Sequence, residues 1–321
     1  MPLIVGAAAP PGQGGPVAEP RDSPAAWWID PTGQRWELTD SGDGSLRFLT
    51  DGVKGANGSV PVTFTTDDRA RGGTAVRWIQ KGPRLLTLPV FMEGADHGSF
   101  IKGWRDFEDA ICRTTDDNTP GWFVLARPDG TARRIAAWYQ DGFEESGNAK
   151  SAMTWDSIVL TMYCPDPHWQ DLNETVELRE GAPGGVDFLS PYPTLSSDRT
   201  LGASTVHNPG QVEAWPDWTI TGPASLITAT NSAVDDGENT WTLDPTAVLG
   251  TALAAGQTIT IAGDPPLITG PGDGNWNLAM DWAHSDLWPL LRGDNPVNFA
   301  VSGAGAGTSI EMRFAARYRS A

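Results

Sequence analysis

The segment 163–169, Tyr-Cys-Pro-Asp-Pro-His-Trp, constrains the fold of this chain more than any other. It ends a long apolar run, residues 153–164, with two prolines and a tryptophan. Proline cannot donate an amide hydrogen to a β-ladder, and it pushes the residue before it toward extended geometry. We therefore expect a long strand to end here and the chain to divide into two bodies.

The length of 321 residues also favours two domains, because a single core seldom grows so large. Residues 1–24 are rich in Ala, Gly and Pro and predict an extended N-terminal arm. We place a first body at residues 25–176, a connector at 177–206 and a second body at 207–321. The 37 Gly and 26 Pro favour many short strands joined by turns.

The first body reads as α+β. Phe100, Trp104, Phe107 and Ile111 recur at helical spacing and predict one helix, with Ser99 as its cap. Residues 82–91 are apolar on both faces, which is typical of a strand that is buried or paired between layers. Further strands are expected at 27–29, 34–38, 45–50, 60–66, 75–80, 122–126, 133–139 and 153–164.

The second body reads as all-β. From Ser309 to Tyr318, apolar and polar residues alternate, so one side of a strand packs inward and the other meets water. Short runs with turn residues between them predict an antiparallel sandwich. These runs lie at 218–220, 225–230, 240–243, 258–262, 276–280 and 297–301.

The net charge of −18 bears on partners and location. Residues 1–176 hold 16 Lys and Arg against 24 Asp and Glu, and residues 177–321 hold 6 against 16. Such a surface repels phosphates and disfavours nucleic-acid binding, although solubility alone would also explain it. Two cysteines make no disulfide framework, and no segment resembles a signal peptide or a membrane span. We expect a soluble protein made in a cytoplasm.

No motif in the sequence predicts catalysis, a metal or a cofactor. The four histidines lack ligand spacing, and His284, Ser285 and Asp286 are sequence neighbours, which cannot supply a catalytic relay. The acidic stretches 40–44 and 235–238 are interpreted as hairpin turns, and the Gly-rich stretch 303–307 as a turn between strands. Five tryptophans of the second body could stack on sugars, although core roles explain them as well. They are Trp215, Trp218, Trp276, Trp282 and Trp288.

Several short motifs, in their order along the chain, resemble the siphophage distal tail proteins. In the first body they are Gly82-Pro83-Arg84, Leu88-Pro89-Val90, the helix, residues 127–130, Tyr139, Gly142 and residues 165–169. In the second body they are residues 207–210, Pro216, Gly222, Asn231, Gly256 and residues 287–296. The family often has tyrosine where His168 stands. The resemblance covers nearly all of residues 27–321.

The resemblance implies a mainly β fold: an α+β belt domain with one helix, then a galectin-like antiparallel sandwich. It also implies a structural virion protein at the distal end of the tail, without enzymatic activity. Six copies of the belt domain would form a homo-hexameric ring around a channel. The implied partners are the tail tube protein, the tail-tip or baseplate hub protein and the tape measure protein, with genomic DNA only in transit. An acidic or neutral channel would not trap that DNA.

Two long strands are our candidates for the contact between copies. We expect the edge of one of them to pair with its counterpart in the next copy, because both are long and apolar on both sides. The candidate interface residues are Arg84, Leu86, Leu88, Val90, Met153, Trp155, Val159, Thr161 and Tyr163.

Two other functions stay open from the sequence. A carbohydrate-binding module that attaches to a host cell surface would use the tryptophans of the second body. A cell-wall hydrolase would use carboxylate pairs brought together by folding.

Overall fold

A computed structural model describes residues 24–39, 47–49, 53–144, 153–181, 201–234 and 239–321. The predicted arm 1–24 lies almost wholly outside the described residues, as do most of the connector and the acidic stretches 40–44 and 235–238. The chain forms two compact units. The first comprises residues 1–173 and 318–321, and the second comprises residues 174–317.

In its described residues the first unit contains strands β1 to β10 and one long helix. One antiparallel sheet runs in the order β2-β1-β7-β8-β9-β6-β3, and β10 pairs with β8. β4 and β5 pair only with each other within the described part of the chain. The elements are β1 (Ala25–Ile29), β2 (Arg35–Glu37), β3 (Arg47–Leu49), β4 (Val62–Asp68), β5 (Thr74–Lys81), β6 (Arg84–Glu93), α1 (His97–Asp116), β7 (Gly121–Ala126), β8 (Ala132–Asp141), β9 (Trp155–Cys164) and β10 (Trp169–Asp171).

Helix α1 covers the sheet as its spacing predicts. Phe100, Trp104, Phe107 and Ile111 are all buried in the core of the unit. The prediction that Ser99 is the N-cap is wrong. The N-cap is Asp96, whose carboxylate accepts a hydrogen bond from the Ser99 amide. Ser99 is the third helical residue, and its hydroxyl accepts a hydrogen bond from the Asp96 amide, so the two residues form a capping box.

The break at residues 163–169 lies in the core of the first unit. β9 ends at Cys164, as the two prolines predict, and Pro167, His168 and Trp169 are buried. The Trp169 ring packs edge-on against Phe123, with 6.0 Å between ring centroids. The segment therefore anchors the unit as well as ending its longest strand.

The second unit is a two-sheet sandwich. One sheet runs β11-β19-β13-β16-β17 and the other β12-β18-β14-β15, with every pair antiparallel. Its elements are β11 (Thr175–Glu180), β12 (Ala203–Asn208), β13 (Asp217–Thr221), β14 (Leu226–Asn231), β15 (Asn239–Leu243), α2 (Thr246–Leu249), β16 (Thr258–Gly263), β17 (Pro266–Thr269), β18 (Gly293–Ser302) and β19 (Ser309–Phe314). Strand β20 (Arg317–Tyr318) carries the chain back to the first unit.

The structure confirms the mainly β fold class and differs from the sequence prediction in three places. The predicted strand 276–280 is a 3-10 helix, Trp276–Ala279, because the Asn275 side chain accepts from the Asn277 amide and turns the chain. β11 occupies residues that we divided between the first body and the connector; as a charged edge strand it gives little apolar signal. Residues 318–321 belong to the first unit, although no pattern in these residues indicates that position.

Candidate assembly surface

The two faces of the strand pair β6 and β9 have opposite environments. The strands pair along their whole length, from Arg84 opposite Cys164 to Glu93 opposite Trp155. Side chains alternate between faces along a strand, so every second residue of each enters the core. The other face exposes four large apolar side chains, which we call the sheet patch: Leu85, Trp155, Val159 and Tyr163.

The structure divides the nine candidate interface residues. Four are buried inside the first unit: Arg84, Leu86, Leu88 and Val90. Met153 and Thr161 are half-buried. Trp155, Val159 and Tyr163 are exposed, with Trp155 the most open at 54%. A contact between copies remains a prediction for these residues, and only the last three present their side chains to a partner.

The edges of β6 and β9 are partly paired within the subunit. β8 pairs with β9 at residues 161–163, and β3 pairs with β6 at residues 90–92. Lys54 also forms a bridge with Thr87 of β6 through two backbone hydrogen bonds of 3.0 Å. An apolar strand between two neighbours has the same two-sided pattern as an exposed one. Edge pairing between copies therefore stays a prediction, and the sheet patch is a second surface of these strands on which a partner can pack.

A second exposed apolar surface lies on the hairpin formed by β4 and β5. Val62, Phe64, Val76, Trp78 and Ile79 are each about half exposed or more, and Trp78 reaches 66%; we call these five residues the hairpin patch. Exposed apolar clusters on soluble proteins mark interaction sites, whereas single exposed residues are normal.

The local sequence explains the shape of the hairpin. Gly72 and Gly73 both have positive φ, at 84° and 75°, which suits a tight turn between right-twisted strands. Phe64 pairs with Ile79, and directly paired residues share a face, so these two side chains project together. Trp78 pairs with Thr65 and projects from the opposite face. The hairpin therefore presents apolar groups on both sides.

The hairpin is basic within an acidic chain. Residues 62–81 contain Arg69, Arg71, Arg77 and Lys81 against Asp67 and Asp68. Arg77 forms an exposed ion pair with Asp67, at 2.8 Å. Since the protein carries a net charge of −18, this segment differs in sign from the chain as a whole and favours contact with an acidic surface.

Arg84 has a role inside the unit that the sequence did not suggest. Its Nε donates to the Pro167 carbonyl at 2.8 Å, and its Nη1 donates to the Gly55 carbonyl. Burial lowers the pKa of Arg84, which the nearby Cys164 partly offsets. The Gly82-Pro83-Arg84 motif and the break at 163–169 are therefore joined through one guanidinium.

The motifs of the second unit also hold its loops. Asn295 is fully buried; its Nδ2 donates to the carbonyls of Leu291 and Gly293, at 2.8 and 2.9 Å, and its Oδ1 accepts from the Leu291 amide. Asn208, also buried, donates to the Leu290 carbonyl at 2.9 Å. Buried amides that satisfy neighbouring backbone groups fix the path of a loop. Residues 207–210 and 287–296 are therefore architectural.

Three of the five tryptophans that could stack on sugars are not accessible to a sugar. Trp218, Trp276 and Trp288 are buried in the core of the second unit, and Trp215 is half-buried. Trp282 is exposed, at 47%, and its Nε1 donates to the Asn277 carbonyl. A groove of about 400 Å³ on the outward face of β12, β18 and β14 is lined by Ser204, Thr205, Thr230, Ser232 and Asn298 among others, with no aromatic ring. Sugar sites typically need such a ring for stacking.

The described residues contain no cluster of three or more His, Cys, Asp or Glu that could hold a metal ion. Within the same residues, no helix is long and apolar enough to cross a membrane. Ser285 is buried and accepts from the Thr242 amide at 3.0 Å, so it serves the sandwich as a structural hydroxyl.

Comparison with known proteins gives structural matches. No protein-family model matches the chain. No curated protein matches it either. The fold is similar to the SPP1 Dit protein, described as a paradigm of the hub adsorption apparatus in phages that infect Gram-positive bacteria. That match has a TM-score of 0.58 and 11% sequence identity, and it covers 91% of this chain and 98% of the SPP1 chain.

A chain of the phage P2 baseplate in its activated conformation is also similar. In the structure with Ca the TM-score is 0.52, with 12% identity, over 90% of this chain and 97% of that one; the structure with Sr gives the same values. These matches span both units. The chain therefore has the fold of the phage Dit and baseplate proteins, the fold that its sequence motifs predict.

Proposed function

We propose that six copies of this chain form a ring at the distal end of a phage tail and join the tail tube protein to the tail-tip or baseplate hub protein. The ring surrounds a channel through which the genome passes, and the tape measure protein ends nearby. The role is structural. The support is the fold shared with Dit and baseplate chains over both units.

The main observation in favour of a ring is the presence of two apolar patches on the first unit. A ring that closes by rotation needs two different surfaces on each copy, one fitting the other. The hairpin patch and the sheet patch are two such surfaces on a single unit. In our proposal the hairpin patch of one copy packs against the sheet patch of the next, and the basic hairpin is drawn to its acidic neighbour.

The proposed channel agrees with the charge of the protein. With a net charge of −18, the ring repels the phosphates of DNA at distances of about a Debye length, roughly 8 Å at physiological salt. DNA can then slide through without binding.

The test is the mass and shape of the purified protein. Light scattering should give six copies, and electron microscopy should show a six-fold ring with a central hole. Trp78→Asp in the hairpin patch and Val159→Asp in the sheet patch should each yield monomers. Leu267→Asp is the matched control, because Leu267 is 54% exposed, as Val159 is 52%, but lies in the second unit.

Mixing the two variants sharpens the test. Each retains one intact patch, so an equimolar mixture should form a dimer through one contact and no ring. A monomeric wild-type protein, or rings that survive both substitutions, would refute the proposal.

A further inference from the structure

The last four residues, 318–321, which we call the strap, return to the first unit after the chain has built the second. Tyr318 is half-buried, and Ala321 is 8% exposed. The strap is held chiefly through its main chain.

Three arginines of the first unit bind three successive carbonyls of the strap. Arg84 Nη2 donates to the carbonyl of residue 319 at 2.6 Å, Arg133 Nη1 to that of residue 320 at 2.6 Å, and Arg127 Nε to that of residue 321 at 2.9 Å. Charge-assisted hydrogen bonds of this kind are stronger than neutral ones. The arrangement recognises a short peptide segment by its backbone.

Two further contacts fix the ends of the strap. The Arg133 guanidinium lies 3.7 Å from the centre of the Tyr318 ring, so the aromatic side chain is held by a cation–π contact. At the other end the amide of Ala321 donates to the Ala56 carbonyl at 3.0 Å. The site therefore selects an aromatic first residue and a small, buried last one.

Two of the three arginines that bind the strap, Arg84 and Arg127, also bind the loop at residues 53–58. Arg84 donates to the Gly55 carbonyl, and Arg127 Nη2 donates to Asn57 Oδ1 at 2.6 Å. Gly55 has φ of +84°, and a Cβ there would lie 2.1 Å from the Leu85 carbonyl oxygen, so this loop packs directly on β6. Loop and strap share their donors and are coupled through them.

Removing the strap would leave a buried cation short of an acceptor. Arg84 is 2% exposed, and a buried charge is tolerated only when its hydrogen-bond partners are in place. The loop at 53–58 would lose the Ala321 amide as well.

We propose that the first unit contains a binding site for a short peptide, filled in cis by residues 318–321, and that filling this site orders the loop at 53–58 and completes the unit. The ligand class is a tetrapeptide with an aromatic first residue, read through its main-chain carbonyls. This inference concerns the subunit alone and does not depend on the ring.

The test deletes residues 318–321 from the full chain and follows hydrogen exchange. Amides in the loop at 53–58 and in the adjoining β6 should exchange about tenfold faster or more, while β14 and β16 of the second unit keep their rates. An acetylated Tyr-Arg-Ser-Ala peptide at millimolar concentration should restore protection, and Ala-Arg-Ser-Ala should restore less.

Arg127→Ala in the intact chain provides a milder variant that keeps the strap. It should speed exchange in the strap and in the loop at 53–58, whereas Arg105→Ala, on the exposed side of α1, should change neither. If the deletion variant is insoluble, hydrogen exchange in the Arg127→Ala variant tests the proposal alone. Unchanged exchange in that loop for either the deletion or Arg127→Ala, or a peptide without effect on the soluble deletion variant, would overturn the proposal. Exchange is measured on the subunit, so a missing ring would leave this result intact.

Discussion

The two units use their aromatic residues differently. The second unit buries Trp218, Trp241, Trp276 and Trp288 in its own core. The first unit buries Trp28 and Trp169 but exposes Trp78 and Trp155 on its two patches. Buried aromatic rings stabilise the unit that contains them, whereas exposed clusters prepare a surface for a partner. The comparison teaches that the second unit uses four of its tryptophans to stabilise its own core, whereas the first unit places two on exposed apolar patches, the kind of surface that marks interaction sites.

Trp218→Ala should give the largest effect. Trp218 lies among Trp241, Trp288 and Phe299, with centroid distances of 5.2, 5.0 and 5.9 Å. Its loss should lower the unfolding free energy of the second unit by about 3–5 kcal/mol. Calorimetry should show that one transition moves and that of the first unit does not. Exposed Trp282→Ala is the control, and a shift of both transitions together would break the comparison.

Adjacent residues of β9 offer a second test. Leu160 is 1% exposed and faces the core, while Val159 is 52% exposed. Leu160→Ala should cost about 2–5 kcal/mol of unfolding free energy, and Val159→Ala about 0.5 kcal/mol or less. Urea unfolding at subunit concentrations too low for assembly measures both. Equal losses would show that the sheet patch is not a free surface.

A third test concerns Asp30, a buried carboxylate of the first unit that accepts several hydrogen bonds. Its carboxylate accepts from the amide and hydroxyl of Thr32 and from Nε1 of Trp36. Burial alone would raise the pKa of Asp30, but these hydrogen bonds and that from the Gln34 amide hold the pKa below its ordinary value. Asp30→Asn should cost about 1–2 kcal/mol at neutral pH.

The sign of the pH dependence follows from the lowered pKa. The stabilisation is complete above the unfolded-state pKa, about 3.9, and is lost as the pH falls through the folded-state pKa. The difference in melting temperature between wild type and Asp30→Asn should therefore narrow as the pH drops below about 4. A difference that stays constant to lower pH would contradict this assignment.

The last test leaves stability unchanged and concerns the two thiols. Burial raises the pKa of Cys164 to about 12, and burial with Glu108, Asp116 and Asp109 nearby raises the pKa of Cys112 to about 11. Only the thiolate reacts, so labelling at pH 8 should be about a hundredfold slower in the native protein than in urea. Fast labelling of Cys164 in the native protein would show that the core of the first unit opens.

The sequence predicted elements that depend on local pattern. The spacings of four and three residues between Phe100, Trp104 and Phe107 predict a helix and its buried face whatever surrounds it. The prolines at 165 and 167 end β9 for an equally local reason. The prediction of a strand at 276–280 is wrong because one capping side chain, that of Asn275, turns the chain into a 3-10 helix.

The candidate site depended on neighbours, which a sequence does not reveal. Arg84 is one of the candidate interface residues, and in the fold its guanidinium donates to four backbone carbonyls of the first unit. Residues 60–66 and 75–80 read correctly as strands, but nothing local indicates that they leave the sheet as a separate pair. Alternation in β6 and β9 separates two faces without saying which is covered.

The position of the second unit within the chain has a consequence for the timing of synthesis. Residues 174–317 are translated after the body of the first unit and before the four residues that close it. At about 5–20 residues per second this interval lasts on the order of ten seconds. Throughout it the loop beside Gly55 lacks its contact with residues 318–321, so ribosomes that stop before residue 318 release chains whose first unit is without this contact.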